Sequence, residues 1–276
     1  EDLRQALLND AHPIHEYDVV SQLPATWDDI TLTPASKVKQ DVVISMANAK
    51  ALGLDGLVGE WRFPGQQTAT ALPDATSSCI TICDGFMRLN ENGDVNDPRL
   101  INTVAHEIGH GIGFTSYSTN DGTNVWLGPL DLFRVQPGVG PNGNFSTAPR
   151  VAAPAIDSVT WVGDGNFDPA LIGVPANLQS GEVPMSTGTA AQGGDGFQTS
   201  HYKDDTLSGI GGEFGPRIGT MDGSTWNRDW DLDWPIITET DRRVFGLIGW
   251  DVNTVDGIVL PARPGDWDTI TIGAHA

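Results

Sequence analysis

The sequence predicts a chain of mixed helix and strand, built as one large domain or as two lobes, and three observations carry that expectation. Apolar residues recur at helical spacing in three stretches, 34–52, 97–113 and 238–248. Two short stretches, 58–63 and 79–83, read as strands. The 276 residues are enough to bury a large core, while 33 Gly and 18 Pro imply many turns and long loops.

The net charge of −21, from 36 acidic against 15 basic residues, repels nucleic acid and anionic membrane, so neither is expected as a partner. No apolar run reaches transmembrane length. Such a surface suits a soluble secreted protein. Salty surroundings or calcium binding would also account for it, and solubility alone is the simplest reason. The start at Glu1 shows no leader and reads as a processed or shortened form. Cys79 and Cys83 are the only cysteines. A turn between them would allow a small disulfide loop, with free thiols and metal ligation as the alternatives.

In chain order, residues 1–30 open with a short amphipathic stretch, Leu3, Ala6 and Leu7, followed by His12 and His15 around Pro13. The proline keeps those two His off one regular helical face, so they read as exposed loop. Thr33 and Pro34 read as the cap and first residue of a helix over 34–52, with Ala35, Val38, Val42, Met46 and Ala49 as its core stripe and Gly53 as its stop. Residues 90–97 form an oxygen-rich turn; a calcium site there is weighed against an ordinary polar turn, and the EF-hand spacing does not match. Residues 115–235 are rich in Gly, Pro, Asn and Asp, with Trp126, Phe133, Trp161 and Phe167 expected to pin irregular structure. A last helix is expected over 238–248. Thr238 and Asp241 stand at capping distance, Val244, Phe245, Leu247 and Ile248 form the buried side, Gly249 is the stop and Trp250 packs behind.

The helix over 97–113 carries the chemistry. Asp97 and Pro98 read as its cap and first residue, Leu100, Ile101, Val104 and Ile108 as its inward face, and Gly111 and Gly113 as its end. His106, Glu107 and His110 form H-E-x-x-H. Residues i and i+4 share a helical face, so both imidazoles can grip one metal ion while Glu107 stands beside the open position. Imidazole nitrogens at roughly 2.0–2.1 Å suit zinc. A catalytic zinc site with Glu107 as base to the bound water is therefore expected, against a structural zinc site or a chance pair of surface His.

Two His leave a third ligand to find. No Glu occurs from 111 to 181, and Ser116, at the ligand position of the extended motif H-E-x-x-H-x-x-G-x-x-H, is a poor zinc ligand. His12 and His15 precede the helix and His275 lies in the tail, so His201 is left by elimination, between Ser200 and Tyr202. Twenty residues on, Met221 sits in a tight turn between Thr220 and Asp222.

This arrangement resembles the metzincin clan of zinc endopeptidases, and within it leishmanolysin, its relatives and related uncharacterised bacterial secreted metalloproteases. Their pattern is H-E-x-x-H-x-x-G-F, a long insertion, a His between Ser and an aromatic residue, then a Met-turn. His106, Glu107, His110, Gly113, Phe114, Ser200, His201, Tyr202 and Met221 match it, so the likeness covers about 98–114 and 199–223. The many cysteines of leishmanolysin are missing, and no Tyr closely follows Met221.

The resemblance implies an α+β, two-lobed zincin with a twisted mixed sheet, a backing helix (34–52), the zinc-binding helix, the Met-turn and a C-terminal helix. Residues 31–255 would form one catalytic domain, with an upper lobe 31–113 and a lower lobe 114–255. Residues 1–30 would be an N-terminal extension and 256–276 an appendage or linker. It further implies catalytic zinc on His106, His110 and His201, Glu107 as general base, and Met221 as a packed floor. The implied function is a secreted endopeptidase with an extended protein or peptide substrate. Two rivals stand beside it, a zinc hydrolase of a non-protein amide and a secreted binding module with a vestigial zinc site.

Overall fold

The computed structural model describes residues 2–11, 16–54, 99–118, 123–155, 157–163, 181–203, 218–223 and 237–250. The expected strands at 58–63 and 79–83, both cysteines, the turn at 90–97, Phe167 and the segment 256–276 lie outside the described residues.

The chain opens with helix α1, Leu3–Asp10. Asp2 caps it by accepting the N–H of Arg4 at 2.9 Å. Leu3, Ala6 and Leu7, the expected stripe, are buried. Helix α2, Glu16–Ser21, adds buried Val19 and Val20. The Arg4 guanidinium stitches the two together by donating to the Ser21 carbonyl at 3.0 Å. Residues 2–11 and 16–30 thus contribute to the main core, each buried Leu or Val adding roughly 1.5–3 kcal/mol.

The helix expected over 34–52 is replaced in its first part by loop and strand. Strand β1, Leu32–Thr33, is followed by β2, Val38–Val42, and only Met46–Ala51 form a helix, α3. The run Val38-Lys39-Gln40-Asp41-Val42-Val43-Ile44 is rich in β-branched residues, which pack well on a pleated surface. Its partner is β3, Asn124–Leu127, which pairs in parallel with Val38 opposite Asn124 and Val42 opposite Leu127. The helix begins only after Ser45, whose hydroxyl accepts the N–H of Asn48 at 3.1 Å. Ala35 and Val38 are accordingly exposed, whereas Val42 and Ala49 are core.

Helix α4, Arg99–Gly111, carries the H-E-x-x-H residues. It ends in a Schellman motif: Phe114 N–H donates to the Gly109 carbonyl at 3.0 Å and Gly113 N–H to that of His110 at 3.0 Å. Gly113 takes φ +108°, a conformation that disfavours a β-carbon. Ile108, expected on the inward face, is 45% exposed. The face that packs is the one bearing His106, Gly109 and Gly113, and Ile108 lies two residues, about 200°, round the helix from His106.

The segment from 123 is irregular, as its composition suggests, and is pinned by buried Phe133, Phe145 and Trp161. A 3-10 turn at Leu130–Phe133 leads into β4, Arg134–Val135. Strand β5, Arg150–Val151, pairs in parallel with β1. Strands β6, Val159–Trp161, and β7, Glu182–Pro184, complete an antiparallel sheet of order β4-β6-β7. Beyond β7, single bridges join Met185 to Tyr202 and Tyr202 to Asp222, so the sheet continues into the segments bearing His201 and Met221.

Helix α5, Glu239–Leu247, has the expected capping box between Thr238 and Asp241. It also ends in a Schellman motif on Gly249, and the Trp250 indole donates to the Ile112 carbonyl at 2.8 Å. Two helix ends therefore meet. Asn48 of α3 is wedged between them, donating to the Ile248 carbonyl at 3.0 Å beside Gly113, where a β-carbon would collide with its amide. Among the described residues, no helix is long and apolar enough to cross a membrane.

Candidate metal centre

His106 and His110 leave α4 one turn apart, and His201 arrives from the segment after β7. Their Nε2 atoms form a small triangle. His106 to His201 is 3.0 Å, His110 to His106 is 3.2 Å and His110 to His201 is 3.2 Å. Among the described residues these three form the one group of His, Cys, Asp or Glu whose ligand atoms converge closely enough to hold a metal ion.

The opposite ring nitrogens settle which atoms carry protons. His106 Nδ1 lies 2.8 Å from the Thr220 carbonyl, His110 Nδ1 2.8 Å from that of Phe114, and His201 Nδ1 3.1 Å from that of Gln198. A carbonyl oxygen can only accept, so each Nδ1 carries a hydrogen, and with the ring neutral its Nε2 presents a lone pair. In that form three lone pairs face one another at about 3 Å. This is repulsive in itself and is relieved by a cation. Two imidazoles on tetrahedral zinc at about 2.05 Å lie roughly 3.3 Å apart, close to the edges of this triangle. Nitrogen donors of this kind suit zinc and its transition-metal neighbours, not calcium or magnesium.

The Phe114 carbonyl that orients His110 is delivered by the Schellman turn ending α4, so the helix stop also sets a ligand. The His201 ring is pushed down to about 3, first by burial and then by the nearby His110 and His106 imidazoles. It stays neutral, as a metal ligand must, across the physiological range. Glu107, the residue after His106, is exposed.

Met221 is fully buried under α4. A β-carbon on Gly109 would fall on its sulfur and come within 3.3 Å of its Cε and 3.5 Å of Phe245 Cζ. Gly109 was not among the residues that the sequence singled out. A glycine inside a helix costs about 1 kcal/mol relative to alanine, and that cost was the available signal for a close approach from outside.

Ser116, the ligand position of the shorter motif, turns away. Its hydroxyl donates to Asp131 Oδ1 at 2.5 Å, while its N–H donates to Ser200 Oγ at 2.9 Å, beside His201. The 91-residue excursion from His110 to His201 thus returns the chain next to the point where the shorter motif would have supplied its ligand.

Two buried charged residues missed by the sequence reading, each bonded to several groups, hold this side together. Arg134 donates from Nη1 to the Thr199 carbonyl at 2.9 Å, from Nε to Ser158 Oγ at 2.9 Å, and from Nη2 to the Ser186 carbonyl. Asp131, on the same turn, accepts the N–H groups of Tyr117 at 2.9 Å and Gly128 at 2.8 Å. Burial lowers Arg134 to about 10 against the opposing pull of Asp131, so it remains charged at neutral pH. The signal was a charged pair three apart in an otherwise apolar run, Leu130-Asp131-Leu132-Phe133-Arg134.

Compared with protein-family profiles, with curated proteins and with solved structures, the chain matches none.

Proposed function

We propose that this chain is a secreted zinc-dependent endopeptidase. One observation carries the reading: three imidazoles bring their Nε2 atoms to one point, 3.0–3.2 Å apart, each with its Nδ1 turned to a backbone carbonyl, and an exposed Glu directly follows the first of them. When bound, zinc supplies a Lewis acid for the scissile carbonyl and lowers the pKa of water toward about 7. His106, His110 and His201 hold the ion, and the carbonyls of Thr220, Phe114 and Gln198 keep their rings turned toward it. Glu107 takes the proton of the attacking water and delivers it to the leaving amine. Met221 packs beneath as a floor and is not a ligand.

Peptide substrate and secretion rest on the resemblance to leishmanolysin-like enzymes and on the acidic composition. The same charge weighs against nucleic acid and anionic membrane as partners. The test is digestion of casein by the purified chain with and without a chelator, alongside Glu107→Gln. That variant should keep its zinc and its fold and lose on the order of 10²–10⁴-fold in turnover. Near-normal turnover would remove Glu107 from the reaction. Full zinc occupancy with no cleavage of any protein would turn the reading toward a non-protein amide.

A further inference from the structure

The turn that carries Met221 is held from α5 by a carboxylate. Asp241 is fully buried. Its two oxygens lie 3.0 and 2.9 Å from the Thr220 nitrogen and accept that N–H, and Oδ2 also accepts the Thr238 N–H at 2.7 Å. A capping box needs only the Thr238 contact. The Thr220 contact is additional to it and reaches 21 residues back along the chain. On its other side, Thr220 offers its carbonyl to Nδ1–H of His106 at 2.8 Å. One residue is therefore bonded to α5 through its N–H and to the first His of α4 through its C=O. The next residue along is Met221, whose carbonyl accepts the N–H of Tyr202, the neighbour of His201, at 2.8 Å. Gly219 admits the carboxylate. A β-carbon there would collide with Asp241 Oδ1 and lie 2.6 Å from Tyr202 Cε2.

We propose that Asp241 is a positioning residue of the metal centre: by holding Thr220 it sets the orientation of the His106 imidazole and the seat of Met221. The proposal rests on the reading of the three His as a metal site. It differs from helix capping in what it moves. A cap alone changes the stability of α5, whereas a positioning residue changes metal affinity beyond any change in stability.

The experiment uses the full chain and cobalt(II) as the probe, with affinity measured by chelator competition and the visible spectrum of the bound ion recorded. Asp241→Asn and Gly219→Ala are compared with Val244→Ala, which removes a buried side chain of the same helix and leaves Asp241 and Gly219 in place. Each is also unfolded in denaturant without metal. In ¹⁵N-labelled metal-free protein the ring N–H signal of His106 is followed by NMR. Asp241→Asn and Gly219→Ala should bind cobalt about 10–100-fold more weakly, with an altered spectrum and an exchange-broadened His106 ring proton. Val244→Ala should lose stability and keep wild-type affinity. Should Asp241→Asn fail to fold, Gly219→Ala carries the test, since it leaves the carboxylate and the cap chemically intact. Wild-type affinity and a sharp ring proton in a folded Gly219→Ala or Asp241→Asn protein would overturn the proposal. So would equal weakening by Val244→Ala. A wild-type chain that binds no cobalt would instead sink the metal-site reading, and the ring proton alone would then decide whether Asp241 orients His106.

Discussion

The two sides of the candidate centre are built on different physical terms. On one side, α4 presents His106 and His110 from a single helix, where spacing alone puts both on one face. On the other, His201 and Met221 sit in segments that, among the described residues, are joined by single bridges through Tyr202. That side is held by buried polar groups: Arg134 on the Thr199 and Ser186 carbonyls, the Ser186 N–H on the His201 carbonyl at 3.0 Å, and Asp241 on Thr220. Repeating local bonds make the first side robust to most single changes outside the site. The second depends on a few charged or polar side chains, each serving several backbone groups, so a single substitution there should spread further.

The largest effect should come from the ligand that the irregular side supplies. His201→Ala should abolish turnover and weaken zinc binding severely, while His12→Ala and His15→Ala should do neither, as zinc content after dialysis will report. Unchanged zinc in His201→Ala would mean that the ion is held elsewhere. Next comes Arg134→Met, which removes the buried donor from the Thr199 and Ser186 carbonyls and the Ser158 hydroxyl. Each buried polar group left unsatisfied costs about 1–3 kcal/mol, measurable by denaturant unfolding of the metal-free chain. A loss below about 1 kcal/mol, the level of an exposed ion pair, would erase the contrast drawn between the two sides.

A smaller change is expected on the helical side. Gly109→Ala improves helix propensity by about 1 kcal/mol yet sets a methyl against Met221. Overpacking of this kind costs about 1–3 kcal/mol, so the net should be a modest loss of stability with a displaced Met221. A gain in stability would show that the contact is looser than it stands. A further effect is one of pH. The folded His201 ring lies at about 3, below its unfolded value of about 6.5, so the unfolded chain binds the proton more readily. The resulting stability is complete above about pH 6.5 and is lost as the pH falls toward about 3. Metal-free wild type should show this slope, and His201→Ala should lack it.

Legibility followed the range of the interactions. The spacing of His106 and His110, the capping box of Thr238 and Asp241, and the stops at Gly53, Gly113 and Gly249 were all readable, because each depends on residues within one or two turns. His201 was reachable only by elimination among six His, since nothing local to Ser200-His201-Tyr202 distinguishes a ligand from a surface residue. The stretch 34–52 was misread because Val38, Val42 and Ala49 fit a helical period, while the long-range pairing with β3 decides in favour of strand.

The sequence by itself therefore determined the chemistry on offer: a helix with two imidazoles and a carboxylate on it, and a second, self-capped helix near its end. Tertiary structure decided how that chemistry is assembled. It chose strand over helix at Val38–Val42, left Ile108 in solvent, brought His201 back beside Ser116, and slid Met221 under Gly109. It also gave Asp241 a second task beyond its helix cap. The physical reason is that helical spacing and capping are satisfied within a few residues. The direction of a lone pair at His201, or of a carboxylate at Asp241, is set by backbone groups tens of residues away, which only the closed fold brings within hydrogen-bonding distance.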